Sequence, residues 1–468
     1  EELAAAWRAE RAAQRTRFAE LRANTTLAER AARGLAVARA VVTDETWVAR
    51  GRQVLELTLP KKFDHENLQL GAGDPVIVWR DRVDEPGART GVLGPAATGK
   101  LRLTLDGELP EPIDLVVNLD AAPSQTTFDR GDAALRRWLA GASELGANHH
   151  LRDILFADAR PHNTPPPTWT PRDRELDDRQ RAAVELTLRA LDLALVWGPP
   201  GTGKTRTLVE AIGQRVGRGE RLLVTAPSNA AVDHLAERLL AAGHPVVRLG
   251  HPARVHAAIA DHTLDALVDA DGATELARQW RDRARQLRAG ARGPRARETY
   301  AEARALDRDA ANECSKAEQR ILYRTPIVLT TLAGADHPVL ADAQFNAVIV
   351  DEATQANDPL LLVALARATT AILAGDPKQL GPTVLADGKP GRRLAETAFE
   401  RAIAQHPDAG VMLTVQHRMH RDIMAFPSAT MYDGQLVAAP AAADRDLGGL
   451  GIADDPGKGG ADGGTAAR

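Results

Sequence analysis

Leu193-Ala194-Leu195-Val196-Trp197-Gly198-Pro199-Pro200-Gly201-Thr202-Gly203-Lys204-Thr205 decides the fold of this 468-residue chain. Its apolar opening reads as a buried strand, and residues 206–216 read as a helix leaving the loop. Between them, glycines let the backbone curl with its amides turned inward. Strand, glycine loop, Lys-Thr and helix together make a phosphate cradle. Loop amides and the helix N-terminus bind the anion, Lys204 reaches the β- and γ-phosphates, and Thr205 ligates magnesium. Gly198, Pro199, Pro200, Gly201, Thr202, Gly203, Lys204, Thr205 and Arg206 are therefore the candidate ATP-binding residues. A second stretch, Gly94-Pro95-Ala96-Ala97-Thr98-Gly99-Lys100, has the same glycine and lysine spacing. There Leu101 replaces the magnesium hydroxyl and a strand pattern follows, so it reads as a hairpin turn.

Outward from the loop, apolar runs at 193–197, 221–226, 246–249, 327–331, 347–351 and 371–374 alternate with helical patterns. The fold class is α/β: a parallel sheet covered on both faces, in a domain spanning 171–384. Residues 250–324 interrupt it as a charged helical insertion, broken into a hairpin at 290–294. Ligands of such sheets collect at the carboxyl ends of the strands.

Upstream, residues 1–34 read as one stalk helix, with Leu3, Trp7, Phe18 and Leu21 near one face. From 35 to 125 the period becomes two, and short strands at 37–42, 53–59, 76–79, 101–105 and 113–119 suggest a small β-barrel, either a scaffold or a single-strand binder. A helical stretch at 129–156 and a proline-rich linker fill 126–170. Downstream, 385–437 reads as part of a second α/β unit, with helix 392–406, strand 411–414 and helix 420–426. Residues 438–468, rich in Ala, Gly and Asp, read as a flexible tail.

With 59 basic and 63 acidic residues the net charge is -4, so a nucleic-acid surface has to be local. The densest positive run is 281–297, with seven arginines against one aspartate; it reads as a solvated helix face or a phosphate-backbone contact. A single cysteine, Cys314, excludes an internal disulfide framework and suits a reducing, cytoplasmic setting. No run approaches a membrane span, and no signal peptide is evident. Residue 1 is Glu, so a start cut short is expected.

Three further motifs carry chemistry. Val348-Ile349-Val350-Asp351-Glu352-Ala353-Thr354-Gln355 is an apolar strand ending in paired carboxylates. Beside a phosphate loop, Asp351 is placed to hold magnesium and Glu352 to deprotonate the attacking water. Ile372-Leu373-Ala374-Gly375-Asp376-Pro377-Lys378-Gln379 repeats the arrangement, and Gln379 can hydrogen-bond a γ-phosphate or its water. Thr225-Ala226-Pro227-Ser228-Asn229 gathers hydroxyl and amide groups suited to backbone phosphates, or to capping the next helix.

GPPGTGKT, TAPSNAAVDHL, VIVDEATQ, LAGDPKQLGP and VQHRMHRDIMAFPSATMYDGQL together resemble the motif series of superfamily 1 helicases. Within them the resemblance is to the 5′-to-3′ branch of the up-frameshift and immunoglobulin-mu-binding-protein helicases, over residues 176–436. It implies two RecA-like domains, a stalk and barrel, and a helical insertion. It also implies that Gln180 reads the adenine edge, that Arg418 crosses onto the γ-phosphate, and that Pro227, Ser228, Asn229, Thr330, Thr331 and Pro382 line a nucleic-acid channel. The family's two further second-domain motifs are absent here, so the chain is expected to stop within that domain. The expectation is a monomeric ATP- and magnesium-dependent helicase acting on single-stranded DNA or RNA. A ring-forming protein-remodelling ATPase and a fragment that binds without turnover are the alternatives.

Overall fold

The alternating stretch after residue 35 closes on itself. The computed structural model describes residues 1–445 apart from 49–51, 61–66, 95–98, 111, 142–143, 145, 252–253 and 291–295. Six strands form a closed barrel: β1 (Ala36–Val48), β2 (Arg52–Thr58), β3 (Pro75–Trp79), β4 (Arg89–Leu93), β5 (Lys100–Leu105) and β6 (Val116–Ala121), in the order β1-β2-β5-β4-β3-β6. Leu101, Leu103 and Leu105 point inward and meet Leu55, Leu57, Val117 and Leu119 in one core. The sequence reading does not anticipate β4. Its five residues are too few to show a period, and only pairing with β3 and β5 defines it. β4 and β5 pair antiparallel on either side of the decoy loop, and residues 95–98, where the hairpin turn is expected, lie outside those described.

The single helix expected over 1–34 is two, α1 (Glu2–Asn24) and α2 (Leu27–Ala32). Thr26 causes the break: its hydroxyl accepts from Glu29 N, and the Glu29 carboxylate accepts from Thr26 N, a reciprocal cap that starts a new helix. Arg30 then fastens α2 to the barrel through buried Asp120 at 2.6 Å. α1 runs back to the core, where Trp7 packs on Phe128 of α3 (Gln125–Ala140) at 4.6 Å between ring centroids. The stretch expected at 129–156 also divides, at Gly141 with φ +81, into α3 and α4 (His149–Phe156).

Beyond the linker and α5 (Asp178–Arg189), seven parallel strands make one sheet: β7 (Leu193–Trp197), β8 (Leu222–Ala226), β9 (Val246–Arg248), β10 (Ile327–Thr331), β11 (Ala347–Val350), β12 (Thr370–Gly375) and β13 (Gly410–Met412). Their order is β13-β7-β12-β11-β8-β10-β9. In β7, Leu193 and Leu195 enter the core shared with α1, α3 and α4. Ala194 and Val196 enter the opposite core with α5, α6 (Lys204–Gly217) and α7 (Asn229–Ala241). The insertion is helical, with α8 (Leu264–Ala270) preceding two helices packed side by side, α9 (Glu275–Gly290) and α10 (Ala296–Arg324). Residues 291–295, where its hairpin break is expected, lie outside the described ones. α11 (Asp358–Leu365) lies between β11 and β12, and Trp138 Nε1 donates to its Leu362 carbonyl at 3.1 Å.

The strand expected at 411–414 in a separate unit instead joins this sheet. Val411 pairs with Val196, which covers an edge of β7 that would otherwise be open. The helix expected at 392–406 is likewise split into α12 (Gly388–Ala395) and α13 (Ala398–Gln405), because Thr397 and Glu400 form another reciprocal cap. Past β13, β14 (Val415–Gln416) and β15 (Val437–Ala438) pair beside α14 (Arg421–Met431), and Met424, Tyr432 and Leu436 make a small core of their own. The tail expected to be flexible therefore begins with ordered chain, β15 and α15 (Pro440–Ala443); residues 446–468 lie outside the described ones. Among the described residues no helix is long and apolar enough to cross a membrane.

Candidate nucleotide and nucleic-acid sites

β7 delivers the glycine loop to the carboxyl end of the sheet. Gly198 N donates to Gly375 O at 2.9 Å, so the loop starts fastened to β12. Gly201 and Gly203 take φ of +77 and +79, a left-handed backbone that favours glycine. The Thr202 hydroxyl donates to Pro199 O at 2.7 Å and closes the curl. The first amides of α6 have no intrahelical acceptor, and their residues line a cleft of about 970 Å³. Gly198 is small for a reason: a Cβ there would lie 2.6 Å from Lys204 Cβ, so the lysine stem crosses where a side chain would stand.

That stem carries the ammonium to the tip of β11. Lys204 Nζ donates to Asp351 Oδ1 at 2.5 Å and to Glu352 Oε1 at 2.6 Å. Burial pushes the Lys204 pKa down, but Asp351 and Glu352 outweigh it and hold the ammonium above its ordinary pKa. Asp351 is buried and accepts from Glu352 N at 2.9 Å, while Glu352 sits at φ +54. Glu352, Thr205, Gln379 and Arg418 line the same cleft.

The remaining expected residues are held in ways the sequence does not display. Gln180 is buried, donates to Thr202 O at 3.0 Å and accepts from Asp177 N at 3.1 Å, so its amide braces the glycine loop. Arg206 turns to Asp173 and Glu175, and its hydrogen bonds to them raise its pKa. Gln379 donates to Asp376 Oδ2 at 2.7 Å. Asp376, whose role has no signal in the sequence, is fully buried and also accepts from Trp197 Nε1 at 3.0 Å and the Tyr432 hydroxyl at 2.7 Å. Burial and that carboxylate raise the Tyr432 pKa. On the far wall, buried Gln416 accepts from Arg418 N at 2.9 Å, and His417 N donates to Gly201 O at 2.9 Å. The arginine turn thus rests on the glycine loop.

A second cleft, of about 450 Å³, lies between barrel and sheet. Pro227, Asn229, Thr330 and Thr331 line it together with Arg130, His251 and Arg254. Ser228 instead caps α7, accepting from Ala231 N at 3.2 Å. Asn229 Oδ1 accepts from Arg248, a fully buried guanidinium paired with Asp233 at 2.8 Å. Pro382 is not among the residues of this cleft. In the arginine run, Arg288 pairs with Asp307 and Arg285 with Asp282 at 3.5 Å, which neutralises part of the helix face, while Arg281 donates to Cys314 Sγ at 2.9 Å and keeps its charge.

Residues 175–387 match one AAA domain family, and residues 394–455 match a second. The chain is 39% identical over 272 residues to DNA polymerase alpha-associated DNA helicase A of Schizosaccharomyces pombe, covering 57% of this chain and 40% of that protein. It is 32% identical over 447 residues to DNA-binding protein SMUBP-2 of Mus musculus, covering 91% and 44% respectively. With ATP-dependent helicase NAM7 of Saccharomyces cerevisiae it shares 29% identity over 405 residues, 82% of this chain and 39% of that one. The chain therefore spans less than half the length of these curated relatives.

Proposed function

Since the chain belongs to the superfamily 1 helicases, in the up-frameshift-like branch of these relatives, we propose that it hydrolyses ATP to drive movement along single-stranded DNA or RNA, 5′-to-3′, as a monomer. The observation that carries the proposal is a convergence: Lys204 is held by Asp351 and Glu352, and the turn bearing Arg418 is bonded to Gly201 in the same cleft.

Lys204 and the loop amides receive the β- and γ-phosphates. Thr205 and Asp351 offer a hydroxyl and a carboxylate, oxygen donors that fit magnesium. Magnesium held by these two residues would supply positive charge against the charge developing on the phosphates. Glu352, released from Lys204, takes the proton of the attacking water, and Gln379 orients that water. The Arg418 guanidinium meets the charge on the γ-phosphate, a contribution of about 10³ to 10⁵ in rate for such arginines. Gln180 places the loop and the adenine beside it. Pro227, Asn229, Thr330 and Thr331 contact the strand backbone, and Ser228 and Pro382, outside that cleft, are further proposed contacts. Buried Cys314 is compatible with a cytoplasmic setting.

The test is ATP turnover with and without single-stranded DNA and RNA. Stimulation by a strand supports the reading. Turnover that ignores both strands while the protein assembles into rings would favour a protein-remodelling ATPase, and nucleotide binding with no turnover a binding fragment.

A further inference from the structure

We propose that His150, His162 and Asp192 form a binding site for a divalent transition-metal ion of the zinc class, at the amino end of β7, the opposite end of that strand from the nucleotide cleft. The three residues come from α4, from the proline-rich linker and from the root of β7. One ligand atom of each lies within 4.8 Å of the others. His162 Nδ1 stands 3.0 Å and His150 Nε2 3.5 Å from the same oxygen, Asp192 Oδ2. Ligand atoms around a tetrahedral zinc ion are about 3.3 Å apart, given metal–ligand distances near 2.0–2.1 Å, so a small relaxation admits an ion.

The carboxylate is already fixed. Asp192 Oδ2 accepts from His162 N at 2.8 Å, Leu191 N donates to His162 O at 3.1 Å, and Ala371 N donates to Asp192 O at 2.7 Å. His150 Nε2 is the telling atom: it is buried, aimed at this cluster, and makes no hydrogen bond. The two imidazoles stack at 4.4 Å with planes 14° apart, and His150 Nε2 and His162 Nδ1 face the same carboxylate oxygen. Two imidazole nitrogens and one carboxylate select zinc, cobalt or nickel over magnesium and calcium, which take oxygen donors. His162 is exposed, so a fourth position opens to water. Six residue steps of extended chain, roughly 20 Å, lead from Asp192 to Gly198 of the glycine loop. An ion here pins the segment returning from the barrel to the root of the strand that carries that loop.

The experiment uses the whole chain, stripped by chelator and free of nucleotide, titrated with Co²⁺ alone and then with Zn²⁺. Expected are ligand-field absorption bands of a nitrogen- and oxygen-bound ion at one per chain, displaced by Zn²⁺. His150→Gln and His162→Gln should each weaken binding by at least about tenfold, while His256→Gln, a change at an exposed histidine outside the cluster, leaves it unchanged. Zn²⁺ should raise the melting temperature of the parent but not of His162→Gln, whose exposed side chain can change without harm to the core. Equal binding by parent and both histidine variants, or none by the parent, overturns the proposal and leaves His162 and Asp192 as a hydrogen-bonded tether.

Discussion

Arg418 lies so close to Gly201 that only one of the two positions has room for a Cβ. A Cβ on Gly201 would stand 2.6 Å from Arg418 Cβ and 3.3 Å from its amide nitrogen. Gly201 also holds φ +77, where any other L-residue is strained by about 1–2 kcal/mol. Gly201→Ala is therefore expected to push the arginine turn off the loop. Turnover of ATP should fall by at least about tenfold, since 1.4 kcal/mol is a factor of ten. A variant with unchanged kcat would show that the contact plays no part in catalysis.

Lys204 and Glu352 should separate binding from chemistry. Glu352→Gln keeps the shape of the side chain and removes the proton acceptor, so nucleotide binding is expected to persist while kcat drops by about 10²–10⁴. Lys204→Ala removes the cation that joins Asp351 to Glu352 and should weaken nucleotide binding itself. A fluorescent nucleotide titration beside a turnover assay reads both. Normal turnover in Glu352→Gln would assign the base elsewhere.

How far the sequence could be read follows from how local each signal is. The glycine loop and β7 are a continuous run whose chemistry is contained in thirteen residues, so fold and phosphate site emerge together. β13 is three residues long, and only its pairing with 195–197 makes it part of the first sheet. The break at Thr26 carried a readable signature, Thr-Leu-Ala-Glu, which the strong helical composition around it masked. Asp376 is different in kind. Its donors Trp197 and Tyr432 lie 179 and 56 residues away, so no spacing rule gathers them. Gln180 is divided: its bond with Asp177 N belongs to a capping box that the Asp-x-x-Gln spacing displays, whereas its bond to Thr202 O, 22 residues away, has no local signal.

Asp233→Ala should be among the costlier single substitutions in the protein. Arg248 is fully buried and its guanidinium is shared among Asp233, Asn229 and the Leu249 carbonyl. Removing the only carboxylate of that set strands a buried charge, which costs about 3–5 kcal/mol. Chemical denaturation measures the loss directly. Because Asn229 shares the same guanidinium, strand binding should weaken in the folded variant as well; an unchanged affinity would remove Asn229 from the proposed contact surface.

His244 supplies a dependence on pH whose sign is fixed by its surroundings. It lies between α7 and β9, with its Nε2 against Gly213 of α6, where a Cβ would come within 2.8 Å. Burial first, and then the Arg172 guanidinium, hold its pKa below the ordinary 6.5, with Glu210 opposing them. The folded protein thus keeps the ring neutral at a pH where the unfolded chain binds a proton. Stability that is complete above about pH 6.5 is lost as pH falls through that value, because the unfolded state then holds more protons. Denaturant titrations at about pH 7.5 and about pH 5.5 should show the parent losing more stability on acidification than His244→Gln, in which that group no longer titrates. Equal losses in the two proteins would mean that the folded state accepts the proton on His244 as readily as water does.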